Sequence, residues 1–150
     1  MLDWLAQSAR ANPHGIALEY AGHRWTYAAL DDAAGRMGGW LSAQGVHADA
    51  RVAVLLDASA DTVVLVHALI RLGAVLVPLN TRLTPDELAY QVTLARVGAL
   101  IYGGDHYAKA ADALPCPLKI DLRALNTSAP LLQPRVLDLD APQAIIFTSG

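Results

Sequence analysis

The segment Leu72-Gly73-Ala74-Val75-Leu76-Val77-Pro78-Leu79-Asn80 constrains the fold of this chain more than any other stretch. It reads as a helix stop joined at once to a buried strand. Residues 61–71 before it are apolar on most sides, through Val63, Val64, Leu65, Val66, Leu69 and Ile70, so a helix there has to be covered rather than half exposed. Gly73 supplies the left-handed residue that ends such a helix. Residues 74–77 are short, apolar and β-branched at two positions, the pattern of a parallel strand covered on both faces. Pro78, which has no amide hydrogen, ends the ladder. Beyond it, Thr84-Pro85-Asp86-Glu87 has the form of a capping box, with the Thr84 hydroxyl accepting from the Glu87 amide and the Glu87 carboxylate reaching back. The order helix, strand, loop, helix predicts an α/β fold, a wound and largely parallel sheet flanked by helices.

The rest of the chain repeats this grammar. Leu2, Leu5, Ala6 and Ala9 have helical spacing, and Asn12-Pro13 stops that helix. Residues 16–20 alternate as a strand, residues 21–24 turn, and Trp25-Thr26 returns to make a hairpin. Thr26 caps a helix whose apolar positions Leu30, Ala33, Ala34, Met37, Trp40 and Leu41 fall three or four apart, and Gly45-Val46 closes it. Gly35, Gly38 and Gly39 weaken that helix, which predicts close approach of another backbone. Residues 51–56 form a second buried strand, and Asp57 or Ser59 caps the helix that follows. Further strands are expected at 99–102, 118–122 and 144–147, with Asp105 capping a short helix through Ala113. Residues 123–142 hold three prolines and read as a surface connection.

Composition removes several classes of function. The net charge is −3, with no run of Lys and Arg, which argues against nucleic acid as a partner. No window reaches the roughly 18 uncharged apolar residues that a membrane span requires. The N-terminus lacks the basic region and apolar core of a signal peptide. Cys116 is the one cysteine, flanked by prolines, and is read as structural. These features place the protein in the cytoplasm. His14, His23, His47 and His106 lie beside turns or caps without metal-ligand spacing, so no metal site is expected in the chain. His67 is read as a packed histidine, Asp31-Asp32 as a charged first helical turn, and Trp4, Trp25 and Trp40 as core or interface residues. Apolar residues make up 54% and charged ones 17%, enough to leave apolar surface uncovered in a chain of 150 residues, which predicts a homo-oligomer.

Chemistry concentrates at the end, in Phe147-Thr148-Ser149-Gly150. A strand running into Thr-Ser-Gly puts two hydroxyls and an unencumbered backbone at the carboxyl edge of a sheet, where α/β folds bind ligands. Hydroxyl donors with backbone N–H groups in a Gly-containing loop suit an anion such as phosphate, and the same tripeptide also suits an ordinary turn. Asn80 and Arg82 leave a strand at its carboxyl end and are candidates for a substrate or coenzyme path.

Four stretches in order resemble the adenylate-forming acyl-CoA synthetase superfamily: Thr26-Tyr27-Ala28-Ala29-Leu30, then the segment Arg71 to Leu83, then Glu87-Leu88, then Ile145-Ile146-Phe147-Thr148-Ser149-Gly150. The resemblance spans nearly the whole chain. Within the superfamily, His67-Ala68-Leu69 and Leu79-Asn80-Thr81-Arg82-Leu83 look most like the o-succinylbenzoate-CoA ligases of menaquinone biosynthesis. The resemblance implies the N-terminal part of the large domain of such an enzyme, over residues 1–150. It further implies activation of a small-molecule carboxylic acid with ATP and Mg2+ to an acyl-adenylate, then transfer to coenzyme A. Thr148 and Ser149 would contact the β- and γ-phosphates, and Gly150 would let the backbone approach them. No catalytic residue is carried over to this chain, which looks like an N-terminal fragment, inactive by itself. A non-catalytic α/β binding module is the alternative.

Overall fold

The computed structural model of the chain describes residues 3–148. It contains α1 (Trp4–Ala11), a hairpin of β1 (Ile16–Tyr20) and β2 (His23–Thr26), α2 (Tyr27–Ala43), β3 (Arg51–Leu55), α3 (Ala60–Leu72), β4 (Val75–Pro78), α4 (Pro85–Leu94), β5 (Ala99–Tyr102), α5 (Asp105–Ala113) and β6 (Leu118–Asp121). Strands β3 to β6 make a four-stranded sheet in the order β4-β3-β5-β6, and every pair in it is parallel.

Alternation along the strands builds two apolar layers. Val52, Val54, Ala99 and Ile101 face a layer completed by α2 and α3, including Met37, Leu41, Leu65 and Leu69. Ala53, Leu55, Val77 and Leu100 face a second layer with Leu88 and Val92 of α4 and Ala111 of α5. Central strands covered on both faces therefore read as continuous apolar runs, as the sequence predicts.

Local chemistry fixes the helix ends. Gly73 is left-handed at φ 76° and caps α3, and Ser59 rather than Asp57 caps its start, accepting from the Thr62 amide at 3.2 Å. At the end of α2, Gly45 has φ 99°, its amide donates to Ser42, and the Val46 amide donates to Leu41, a complete Schellman closure. The capping box at Thr84 and Glu87 forms in both directions. The hairpin turn is tighter than expected, because Ala21 and Gly22 both take positive φ and His23 already pairs with Tyr20.

The glycines of α2 lie under a strap from the long connection. A Cβ on Gly39 would stand 1.8 Å from the carbonyl oxygen of Pro130, and the Leu132 amide donates to the Gly35 carbonyl at 2.9 Å. This is the backbone approach that the glycines predict.

Four expectations need correction. The first helix begins at Trp4 with Asp3 as its cap, and Leu2 lies outside the described residues. Asp105 does not cap α5: it is the first helical residue, with its carboxylate paired to Arg123, and the cap position falls to Gly104, which has no side chain to bond. Asp31 and Asp32 sit beyond the first turn of α2, where Asp32 pairs with Arg36 and Asp31 with Arg71. Residues 144–147 form a single parallel bridge, Ala144 to Leu76, instead of a buried strand. They alternate in exposure, Ile146 reaching 70%, because one face lacks a covering layer among the described residues. Of the tryptophans, Trp40 is in the core, Trp25 packs at its margin and Trp4 is half exposed.

Candidate functional site at the carboxyl edge of the sheet

All four parallel strands end on one edge, so the loops that leave them converge there. The exit of β3 leads to α3 over the first apolar layer, and the exit of the adjacent β5 leads to α5 over the second. Neighbouring strands whose helices depart to opposite faces leave a crevice between their carboxyl ends, the usual ligand position in wound α/β sheets. A cavity of about 270 Å3 occupies that crevice, lined by Asp57, Ser59, Gly103, Gly104, His106 and Arg123.

The polar side chains around the crevice are connected. The Tyr107 hydroxyl donates to Asp57 Oδ1 at 2.6 Å, and His106 Nε2 lies 3.3 Å from Asp57 Oδ2. The bond to the Asp57 carboxylate raises the Tyr107 pKa above its ordinary value. Arg123 is held between Asp121 and Asp105, and these bonds raise its pKa further. The Asp57, His106 and Tyr107 cluster escaped the reading of the sequence. Its available signal was polar residues directly after two apolar strands, a pattern that does not say which strands are neighbours.

The expected site residues that the structure describes, Asn80, Arg82 and Thr148, fall on the same edge. The Leu76 amide donates to Gln143 at 3.0 Å and the Ile145 amide to Leu76 at 2.8 Å, so residues 143–145 run parallel to β4 on its outer side. Ile145 and Phe147 turn into the second apolar layer, while Ala144, Ile146 and Thr148 are exposed. Thr148 lies four residues beyond Ala144, as Asn80 lies four beyond its bridge partner Leu76, so the two emerge at one level of the sheet. Asn80 Oδ1 accepts from the Arg82 amide at 3.0 Å, shaping a tight exit loop, and both residues are exposed. The structure thus brings Thr148 to the same edge as Asn80 and Arg82. Ser149 and Gly150 lie outside the described residues.

Two candidates with duller readings keep them. His67 is half-buried on α3, where burial lowers its pKa against the pull of Asp3 and with a push from Arg71. Cys116 is buried, donates to the Leu118 carbonyl at 3.3 Å, and has its thiol pKa pushed up by burial, which makes it a poor nucleophile.

Residues 5–150 match the family described as AMP-binding enzyme. The chain belongs to that family. Members similar to it include the 2-succinylbenzoate--CoA ligase of Listeria monocytogenes, 33% identical over 150 residues, and that of Bacillus subtilis, 30% identical over 148 residues. The match covers 100% of this chain and 31% of the Listeria protein, and 99% of this chain and 30% of the Bacillus one, so the chain spans about a third of the length of these AMP-binding enzymes. Among solved structures, o-succinylbenzoate coenzyme A synthetase from Bacillus subtilis in complex with AMP superimposes with a TM-score of 0.92 at 31% identity, over 100% of this chain and 39% of that one. A fatty acyl CoA synthetase from Mycobacterium tuberculosis gives 0.82 at 28% identity, over 97% of this chain and 32% of that one. The α/β architecture here is therefore the N-terminal architecture of that enzyme group. No helix among the described residues is long and apolar enough to cross a membrane.

Proposed function

We propose that residues 1–150 are the N-terminal subdomain of an ATP-dependent carboxylate-CoA ligase acting on o-succinylbenzoate. The observation that carries this reading is the match of the whole chain, at a TM-score of 0.92, to a synthetase whose structures hold AMP and the acyl-adenylate OSB-AMP. A structure of the same enzyme with ATP and magnesium supports those two as the nucleotide and metal, and one with the product analogue OSB-NCoA supports coenzyme A as acceptor.

The donor set at the end of this chain fits the phosphates. Residues 145–150 carry two hydroxyls and a glycine and no carboxylate, which favours an anion over a bare cation. Thr148, exposed at the sheet edge beside the exit loop of Asn80 and Arg82, begins the cradle, with Ser149 and Gly150 completing this chain's share. When bound, ATP supplies the activated phosphorus and Mg2+ neutralises charge on the phosphates. The part of these residues is to hold and orient the phosphate chain. Asn80 and Arg82 line the path of the substrate or coenzyme. The ligase acts in the cytoplasm as a homo-oligomer, a reading supported by the lone buried thiol and the uncovered apolar surface.

The test uses the full-length ligase carrying this sequence, assayed for pyrophosphate release with o-succinylbenzoate and ATP, then for the CoA thioester. Removing one preorganised donor to developing charge costs on the order of 3 kcal/mol, about a hundredfold in rate. Ser149→Ala should slow adenylation by that factor with little change in thermal midpoint. A lowered midpoint with unchanged adenylation would reassign Thr148, Ser149 and Gly150 to a structural turn, and absence of pyrophosphate release with any carboxylic acid would remove the ligase reading altogether.

A further inference from the structure

Where the chain leaves β4 it is pinned before and after a short loop. Before it, the Leu79 amide donates to the Val54 carbonyl at 3.0 Å, and the Leu79 side chain is buried in the second apolar layer. After it, Leu83 packs against the same layer, and the capping box of Thr84 and Glu87 closes the start of α4. Between these anchors Asn80 folds the backbone back on itself: its Oδ1 accepts from the Arg82 amide at 3.0 Å, and its carbonyl accepts from the Leu83 amide at 3.1 Å. The first of these bonds makes an Asx turn, in which a side-chain oxygen takes the place of a backbone carbonyl.

Arg82, held in this way, carries an exposed guanidinium with no hydrogen bond or ion pair among the described residues. The same is true of Arg10 and Arg96, but these lie in or just beyond the last turns of α1 and α4, where the helix dipole suits a cation. Arg82 stands two residues before the Thr84 cap of α4, at the end whose partial charge is positive, and Asp86 in the first turn does not pair with it. A cation so placed gains nothing from its own helix, and its electrostatic complement lies outside the described residues.

We infer that Asn80 is a positioning residue for Arg82: its carboxamide oxygen locks the loop so that the Arg82 guanidinium is held for a phosphate of the nucleotide or of the coenzyme. The inference rests on the ligase reading and deepens it, by dividing the roles of two residues that line one path. Arg82 makes the contact, with a fork of donors suited to phosphate oxygens. Asn80 touches no ligand and acts through the Arg82 amide, so its loss is felt as misplacement of the guanidinium.

The test uses the full-length ligase, with KM measured separately for ATP in pyrophosphate release and for coenzyme A in thioester formation. Arg82→Ala should raise one of the two KM values about thirtyfold, the worth of a charge-assisted bond, and which one rises names the phosphate. Asn80→Ala should raise that same KM about fivefold to tenfold, the worth of one net hydrogen bond, and more than it lowers kcat. Asn80→Ser, whose hydroxyl accepts the same amide more weakly, should recover part of the loss. Asn80→Ala combined with Arg82→Ala should be no worse than Arg82→Ala alone, because the first acts only through the second. Tryptic cleavage after Arg82 in the folded enzyme should quicken in Asn80→Ala, a readout independent of activity. An active wild type in which Arg82→Ala moves neither KM overturns the inference and leaves the ligase reading standing. So does an Asn80→Ala variant that loses thermal stability with both KM values unmoved. A double variant worse than Arg82→Ala also overturns it, by making Asn80 a ligand contact itself. A wild type that forms no acyl-adenylate brings down the ligase reading and the inference with it.

Discussion

Arg71 carries a charge at 3% exposure, and its surroundings show how that is tolerated. Its Nε donates to Asp3 Oδ2 at 2.9 Å, its Nη1 to the Asp31 carbonyl at 3.2 Å and its Nη2 to the Asp31 carboxylate, so one side chain from the end of α3 binds the cap of α1 and the second turn of α2. Asp3, equally buried, spends its other oxygen on the Ala6 amide at 2.7 Å. Arg71→Met would leave Asp3 buried with no cation, at a cost of about 3–5 kcal/mol in urea unfolding. Asp31→Ala should cost clearly less, because Asp31 is partly solvated and Arg71 keeps Asp3. A smaller loss in Arg71→Met than in Asp31→Ala would mean that the pair is incidental. The neighbouring His67 gives the same region a pH dependence. Burial lowers its folded pKa below the ordinary 6.5, so the unfolded chain binds more protons in the window below that value, and stability rises with pH across it. The wild type should therefore weaken as pH falls below about 6.5, and His67→Gln should flatten that part of the curve. An unchanged slope would show that other histidines carry it.

Elements add what single residues lack, and glycine shows the difference. In an exposed helix Gly→Ala gains about 1 kcal/mol. Gly39→Ala should instead destabilise by about 2 kcal/mol, since the new methyl meets the Pro130 carbonyl at 1.8 Å and the strap over α2 must move. Arg96 is the opposite case: it ends α4 at φ 52°, where a side chain is strained, so Arg96→Gly should raise stability by about 0.5 kcal/mol. Both values follow from thermal or urea unfolding of the chain, and a stabilised Gly39→Ala would mean that the strap is loosely held. Elements closed by near neighbours were legible in the sequence: the Schellman end at Gly45, the capping box at Thr84, the left-handed stop at Gly73. Elements decided at long range were not. Asp3 and Arg71 stand 68 residues apart, and Tyr107 stands 50 from Asp57, so no local pattern announces either pair. Asp105 looked like a cap because Arg123 was invisible to it. An apolar run such as Ile145-Ile146-Phe147 shows that a face must be covered, not whether anything covers it. The candidate site was legible mainly through resemblance, since Thr-Ser-Gly after a strand fits a turn as well as a phosphate.

At the scale of the whole molecule, the parallel sheet is weakly closed on its β4 side. At its carboxyl end β6 runs into the 3₁₀ turn at Leu122–Ala124, where Arg123 pairs with Asp105 and Asp121. Among the described residues, the only pairing beyond β4 is the bridge at Ala144, and nothing pairs with the outer side of residues 144–148. The uncovered face of that segment carries Ile146 at 70% exposure, and the connection leading to it exposes Val136 and Leu139 as well. An open edge with uncovered apolar side chains is the surface on which strands find partners. The 150-residue chain should therefore self-associate, edge to edge, into dimers or larger species. It should also form no acyl-adenylate by itself, because stabilising charge on a phosphate chain takes several preorganised donors acting together and this sequence supplies only the first. Pyrophosphate released above background by the isolated chain would contradict the second expectation. For the first, light scattering should show mass rising with concentration, and Ile146→Lys, which places a charge on the open edge, should weaken association about tenfold. A clean monomer at every concentration, or association indifferent to Ile146→Lys, would mean that this edge is already protected in the isolated chain.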